Sequence, residues 1–301
     1  MKVIVTGGAG RLGQYAIKEF LEHGFDVLST DIAPPATNLC PFVAVDLIHH
    51  TGVEELQDIF AGADAVIHLA RRRFPYTESG FDPASGAWKT PDVSGDARRF
   101  NDNTAITYNV LSAAIAAGVK TIISGSSLAV YGLFYPIKET IPDYLPVDEN
   151  HPQRPQDPYG LSKLVAEAMC DSFSRKAKVQ IASLRFSGIY AGENAHVLAG
   201  RRKDPTIRGA GALWSYVDVR DAAVACRLAL QADFQGHEAF NICAPTTIMD
   251  EPTEDLVRRY LPKVKSIRAG MQANWCGYDA QKAETVLSFK ARHLFRIGTL
   301  Q

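Results

Sequence analysis

A glycine-rich turn between a short apolar segment and an amphipathic one restricts this chain more than any other feature. Lys2-Val3-Ile4-Val5-Thr6 reads as a strand. Thr6-Gly7-Gly8-Ala9-Gly10-Arg11-Leu12-Gly13 follows, and Leu12, Ala16, Ile17, Phe20 and Leu21 then recur at helical spacing up to Gly24. The run fits G-x-x-G-x-x-G through Gly7, Gly10 and Gly13, and also G-x-G-x-x-G through Gly8, Gly10 and Gly13. A side chain at these positions would block backbone approach to a pyrophosphate. The helix that follows offers free N–H groups and the positive end of its dipole. Glycine also suits any tight strand–helix turn, so the run gains its weight from what comes next. Phe25–Thr30 is a second strand that runs into Asp31, where the pattern expects an acid for the adenosine ribose hydroxyls. A carboxylate there repels a ribose 2′-phosphate, and Ala33-Pro34-Pro35 supply no base, which selects NAD over NADP. A solvated turn residue is the alternative for Asp31.

Apolar strands and amphipathic helices go on alternating. Strands are expected at Phe42–Val45, Ala65–Leu69, Thr121–Ser124 and Gln180–Arg185, with helices at Val53–Phe60, Arg98–Ala117 and Pro158–Arg175. This order predicts an α/β fold, a doubly wound and mostly parallel sheet covered on both faces, with a small discontinuous substrate-binding region. The 301 residues are read as one domain. Residues 1–187 form mainly its dinucleotide-binding part, and 188–301 mainly its substrate-binding part and the completion of the sheet. Phe74–Asp96 and Leu133–Asp157 break the rhythm as long loops, which are more often functional than idle. A net charge of −1 gives no basic excess for nucleic acid, and no apolar run reaches the length of a membrane span. The N-terminus leads straight into a strand without a signal-peptide layout, so a cytoplasmic protein is expected. The five cysteines are scattered without C-x-x-C spacing and are read as reduced thiols, with no metal centre.

Tyr159 and Lys163 lie four apart and share a helix face. A lysine ammonium beside a phenol lowers the phenol's pKa from about 10, so that it can act as a base. Tyr278 and Lys282 have the same spacing, and position separates the two pairs. Tyr159 opens the helix after the fifth strand, and that strand runs into Ser124-Gly125-Ser126-Ser127-Leu128-Ala129-Val130-Tyr131-Gly132.

With these pieces the chain resembles the extended short-chain dehydrogenase/reductases, the NAD-dependent epimerase/dehydratase family, whose core is a Rossmann sheet. Further shared pieces are Asp46-Leu47, His68-Leu69-Ala70, Asn103, Thr107, Asn109-Val110-Leu111, Leu184-Arg185, Tyr216-Val217-Asp218-Val219, Phe240-Asn241 and Asp279 with Lys282-Ala283. The resemblance implies Tyr159 as acid/base, Lys163 on the nicotinamide ribose and Ser127 on the reacting oxygen. It implies Gly7, Gly10, Arg11, Leu12 and Gly13 along the pyrophosphate, Asp46 and Leu47 at the adenine, and Leu69, Ala70 and Arg71 along the cofactor. Asn103 is grouped with the cofactor residues as a stabiliser of the central helix and sheet. A homodimer through the helices near 98–117 and 158–175 is also implied, with Ala105, Ala113, Ala114, Ala116 and Ala117 allowing close packing.

Three departures from the family shape the expected substrate. Leu128 and Ala129 stand where dehydratases of the family carry an acidic pair, so dehydration is disfavoured. The Gly192–Trp214 segment is short for wrapping a nucleotide, as in uronate dehydrogenases, and Ala212 stands where a diphosphate-gripping arginine is expected, with Arg208 as a possible substitute. Arg71-Arg72-Arg73 follow the fourth strand, on the side where doubly wound sheets bind ligands, and a guanidinium there can fork onto a carboxylate. Arg72, Arg73, Ser127, Leu128 and Arg208 are the substrate candidates, with solvated surface arginines as the alternative for the cluster. The leading expectation is an NAD-dependent oxidoreductase acting on a hydroxyl or carbonyl of a small sugar or sugar acid. Its rivals are a nucleotide-sugar epimerase that retains NAD and a non-catalytic NAD(P)-sensing regulator.

Overall fold

Val3, Ile4 and Val5 are fully buried in succession, which requires cover on both faces of their strand and therefore the interior of a parallel sheet. The computed structural model describes the chain except residues 49–52, 73–80, 83–86, 89–92, 135–139, 204, 207–211, 272, 297–298 and 301. Seven strands form the main sheet: β1 (Lys2–Thr6), β2 (Asp26–Asp31), β3 (Phe42–Ala44), β4 (Ala65–His68), β5 (Thr121–Ser127), β6 (Gln180–Phe186) and β7 (His237–Ile242). Their order is β7-β6-β5-β4-β1-β2-β3, and every pairing in it is parallel. The strand order reverses beside β1, which opens a crevice at the carboxyl ends of β1 and β4.

The helices α1 (Arg11–Glu22) and α6 (Val219–Gln231) lie on one face, and α2 (Val53–Phe60), α3 (Val93–Ala116) and α4 (Pro158–Ala177) on the other. Each face has its own core. Phe20, Val5, Leu184 and Ala225 meet on the first, and Phe60, Val66, Leu111 and Ile181 on the second. A third core is built from Leu128, Tyr131 and Val147 together with Trp214, Tyr216, Leu256, Trp275 and Tyr278. Residues on both sides of position 187 therefore share one lobe beside the sheet. That lobe also contains α5 (Ala195–Arg201) and α7 (Thr253–Tyr260), while α8 (Gln281–Leu287) packs on the first core through Ala283 and Leu287. Helix α3 begins five residues earlier than its periodicity suggests, with Asp96 in its first turn. The expected 74–96 loop contains a short hairpin of Phe81–Asp82 and Ala87–Trp88. Among the described residues no helix is long and apolar enough to cross a membrane.

A buried polar chain fastens α4 to the sheet and to the third core. Arg185 on β6 donates to both oxygens of Glu167 on α4, at 2.9 and 2.7 Å, and to the Tyr131 hydroxyl at 2.7 Å. Ser126 on β5 donates to Glu167 at 2.6 Å. Tyr131 in turn donates to Asn241 on β7 at 2.8 Å, and the Asn241 amide reaches the carbonyls of Val147 and Asp279. Removing one member of a buried pair strands the other charge, at a cost of about 3–5 kcal/mol. Arg185→Met is expected to lose stability on that scale in urea unfolding. Adding Glu167→Leu should cost less than the sum of the two single changes, by about 1–3 kcal/mol of coupling. Additive single and double changes would mean that the two charges do not stabilise each other.

Candidate active site

The crevice beside β1 is a cleft of about 970 Å³. Of the residues singled out in the sequence, Gly7, Gly10, Arg11, Leu12, Gly13, Asp31, Asp46, Leu47, Leu69, Ala70, Arg71, Arg72, Ser127, Tyr159 and Lys163 all line it. Arg73 and Arg208 lie outside the described residues.

At one end, α1 starts from Gly10 with no side-chain cap and no acidic residue in its first turn. Its leading N–H groups keep their open valences at the positive end of its dipole, which suits a pyrophosphate. The glycines have two roles here. Gly7 has a φ of +74°, and a Cβ on it would stand 2.5 Å from the Ala70 nitrogen. A Cβ on Gly13 would stand 2.3 Å from the Gly7 carbonyl oxygen. At these two positions glycine lets backbone pack on backbone, which brings α1 close enough to β1 to aim its N-terminus into the cleft. Asp31 ends β2, accepting from Ala9 N at 3.1 Å and Ile32 N at 2.8 Å. Asp46 accepts from Ile48 N at 2.9 Å. Both carboxylates are thereby fixed at the rim where an adenosine would lie.

At the other end, Asp157 and Pro158 start α4. Asp157 Oδ1 accepts from the N–H groups of Tyr159 and Gly160, at 3.0 and 2.9 Å, and Pro158 supplies the first-turn φ. This fixes Tyr159 at the mouth of the cleft. One turn on, Lys163 is buried and donates to the Gly125 carbonyl at 2.6 Å. Burial first, and the charge of Arg71 second, lower its pKa to about 8. The Lys163 Nζ and the Arg71 guanidinium lie 5.9 and 5.6 Å from the centre of the Tyr159 ring. Ser127 caps the short 3-10 turn Leu128–Tyr131, its Oγ accepting from Ala129 N at 3.1 Å. Its hydroxyl proton remains to donate. A phenol, an ammonium and a hydroxyl donor at one end of a dinucleotide-sized cleft can move a proton on and off a ligand oxygen.

Two assignments need correction. Leu128 is fully buried in the third core and does not reach the cleft, because the 3-10 turn after Ser127 turns its side chain inward. Asn103 does not line the cleft. Its Oδ1 accepts from Arg72 N at 2.9 Å, and its carbonyl accepts from Thr107, which neighbours His68 Nε2 at 3.3 Å. His68 is kept neutral by burial, with its pKa lowered to about 3. Asn103 therefore positions the segment that carries Leu69–Arg72. Arg72 faces Asp102 at 3.8 Å, so its guanidinium is partly engaged. The second Tyr–Lys pair is broken up: Tyr278 is buried in the third core and Lys282 pairs with Glu238.

Several residues of the site carry signals that went unread. Asp157-Pro158 is a cap followed by a first-turn proline. Glu167 continues the four-residue spacing of Tyr159 and Lys163. Phe186–Ile189, Phe134 and Arg99 also line the cleft, and only the fold brings them there.

A model of the NAD dependent epimerase/dehydratase family matches residues 3–243. A putative UDP-glucose 4-epimerase of Methanocaldococcus jannaschii is 31% identical over 209 residues, covering 67% of this chain and 58% of that protein. The UDP-glucose 4-epimerase of Bifidobacterium longum, solved in complex with NAD+ and UDP, superposes with a TM-score of 0.71 at 21% identity, over 100% of this chain and 96% of that chain. MoeE5 in complex with UDP-glucuronic acid and NAD superposes with a TM-score of 0.65 at 23% identity, over 97% and 94% of the two chains.

The cap of α4 gives a test. Burial raises the Asp157 carboxyl from 3.8 to about 6, opposed by the N–H groups it caps. Because the folded pKa lies above the unfolded one, its contribution to stability is full below about pH 4 and is lost as pH rises through about 6. Asp157→Asn keeps an acceptor for the cap without the charge. Relative to the parent, it is expected to gain on the order of 1 kcal/mol between pH 5 and pH 7.5 in urea unfolding. A pH-independent difference would remove the buried charge from this account.

Proposed function

Because this chain belongs to the NAD dependent epimerase/dehydratase family, we propose that it inverts a hydroxyl-bearing carbon of a nucleotide-linked sugar, with NAD retained through the cycle. The expectation of a free-sugar or sugar-acid dehydrogenase gives way to its rival, since the relatives are UDP-sugar epimerases. The argument from a short Gly192–Trp214 segment also loses its force. The chain superposes along its length on a fold solved with UDP, with a TM-score of 0.71. Ala212 is buried and takes no part in this reading.

The observation that carries the proposal is the convergence of Ser127, Tyr159 and Lys163 on one end of a cleft whose other end fits a dinucleotide. Gly10–Gly13 would hold the pyrophosphate, Asp31 the adenosine ribose, Asp46 and Leu47 the adenine, and Lys163 the nicotinamide ribose. NAD, held by these residues, would supply the hydride acceptor and donor for the sugar carbon. Tyr159 takes the proton of the hydroxyl on that carbon and later gives it back. Ser127 donates to the same oxygen. The intact trio also weighs against a non-catalytic sensor.

UDP-galactose and UDP-glucose are expected to interconvert without net accumulation of NADH, followed by chromatography of the UDP-sugars and by absorbance. Tyr159→Phe should lower kcat by about 10²–10⁴-fold with NAD affinity unchanged. Stoichiometric NADH from a free sugar, with the UDP-sugars untouched, would restore the dehydrogenase reading.

We further propose a homodimer through α3 and α4. Ala113 and Ala114 are buried in the protein's own core and cannot serve the interface, whereas Tyr108 and Leu161 are 53% and 42% exposed on these two helices. Tyr108 is braced edge-on against Phe173 of α4 at 5.4 Å. Light scattering should give twice the chain mass, and Tyr108→Glu should halve it. A monomeric parent protein at micromolar concentration would end this proposal.

A further inference from the structure

Besides Lys163, Arg71 lies over the Tyr159 ring, and so far its charge has entered only through the pKa of Lys163. Its guanidinium lies 5.6 Å from the Tyr159 ring centre, inside the cleft and exposed to solvent. The other arginines lining the cleft face acids: Arg11 faces Glu193, Arg72 faces Asp102 and Arg99 faces Asp96. Arg71 has no carboxylate within ion-pair distance among the described residues. The carboxylates of the cleft lining, Asp31 and Asp46, accept from backbone N–H groups around the glycine turn and at residue 48, at the adenosine end. The reacting end therefore presents two cations, Arg71 and Lys163, within 6 Å of the centre of one phenol ring.

Like charges held together are unfavourable, and Arg71 contributes to the lowered pKa of Lys163. An anion entering between them would relieve that cost. The cofactor's pyrophosphate has its own seat at the start of α1. What comes within reach of the Tyr159 ring is the sugar. A guanidinium offers a planar pair of N–H donors that matches a carboxylate.

We propose that Arg71 receives a carboxylate on the sugar ring, so that a nucleotide-linked sugar acid is the preferred substrate and a neutral nucleotide sugar a weaker one. This rests on the reading above only in taking the Tyr159 end as the place of the sugar. It shifts the anion-binding role from Arg72, whose guanidinium faces Asp102, to its neighbour, which has no acid within ion-pair distance among the described residues.

The test compares UDP-glucuronic acid with UDP-glucose, which differ only in a carboxylate against a hydroxymethyl group. Calorimetry on the NAD-loaded protein is expected to give at least tenfold tighter binding of the acid. Arg71→Met should bring the ratio to about one, the acid losing more affinity than UDP-glucose. Arg71→Lys, which keeps the charge but not the fork, should fall between. Equal binding of the two ligands by the parent protein would overturn the proposal. So would an unchanged ratio in Arg71→Met, and so would a tenfold loss of NAD affinity in that variant with the ratio intact, which would give Arg71 to the cofactor. If neither UDP-sugar binds, the nucleotide-sugar reading fails by itself, and glucuronate against glucose is the deciding pair. An Arg71-dependent preference for the acid there supports the inference, and its absence overturns it.

Discussion

Two opposite charges, on Glu167 and Arg185, lie inside the molecule with their hydrogen-bonding capacity taken up by each other, by Ser126 and by Tyr131. Isolated, either would carry a large desolvation penalty. Together they fix three things at once. Glu167 sits one turn beyond Lys163, so the pair sets how far α4 is pressed toward the sheet. Ser126 sits beside Ser127, so the same pair sets the end of β5. Tyr131 and Asn241 extend the chain into the third core. The geometry of the Tyr159 end of the cleft thus depends on an interaction beneath it that has no part in the chemistry.

Much of this was legible in the sequence. Strand and helix types could be read because the strands are continuous apolar runs and the helices keep a 3.6-residue period. The glycine turn, Asp31 and the Tyr159–Lys163 pair could be placed because each belongs to a local pattern. The failures share a cause. Leu128 follows a functional residue directly, and linear adjacency suggested that it shared the site. A 3-10 turn sends it the other way, and neither spacing nor composition reports such a turn. Asn103 was grouped with the cofactor residues on resemblance alone, whereas its contacts are with the backbone of Arg72 and with Thr107. Among Arg71, Arg72 and Arg73 the sequence had no means of choosing. The presence of Asp102 beside Arg72 separates the first two, and that acid is thirty residues away in the chain.

The distribution of charge along the cleft follows the same logic. Its carboxylates stand at the ends of β2 and β3 and are held by backbone N–H groups. Two of its cations, Arg71 and Lys163, stand after β4 and on α4. A ligand with hydroxyls at one end and negative charge at the other would lie in one direction only. In doubly wound folds this polarity comes from which strand each loop follows, so it is a property of the topology as much as of the side chains.

Ser127 caps its own turn, and that small feature bears on how a ligand is held. Its oxygen already accepts the Ala129 N–H, which leaves its proton and one lone pair for a ligand. A hydroxyl oxygen and a carbonyl oxygen are both receivers. A ligand that passes between alcohol and ketone would meet the same contact in both forms, with no need for the serine to turn over. The grip is indifferent to oxidation state, and a half-converted ligand would find in this residue no signal to leave.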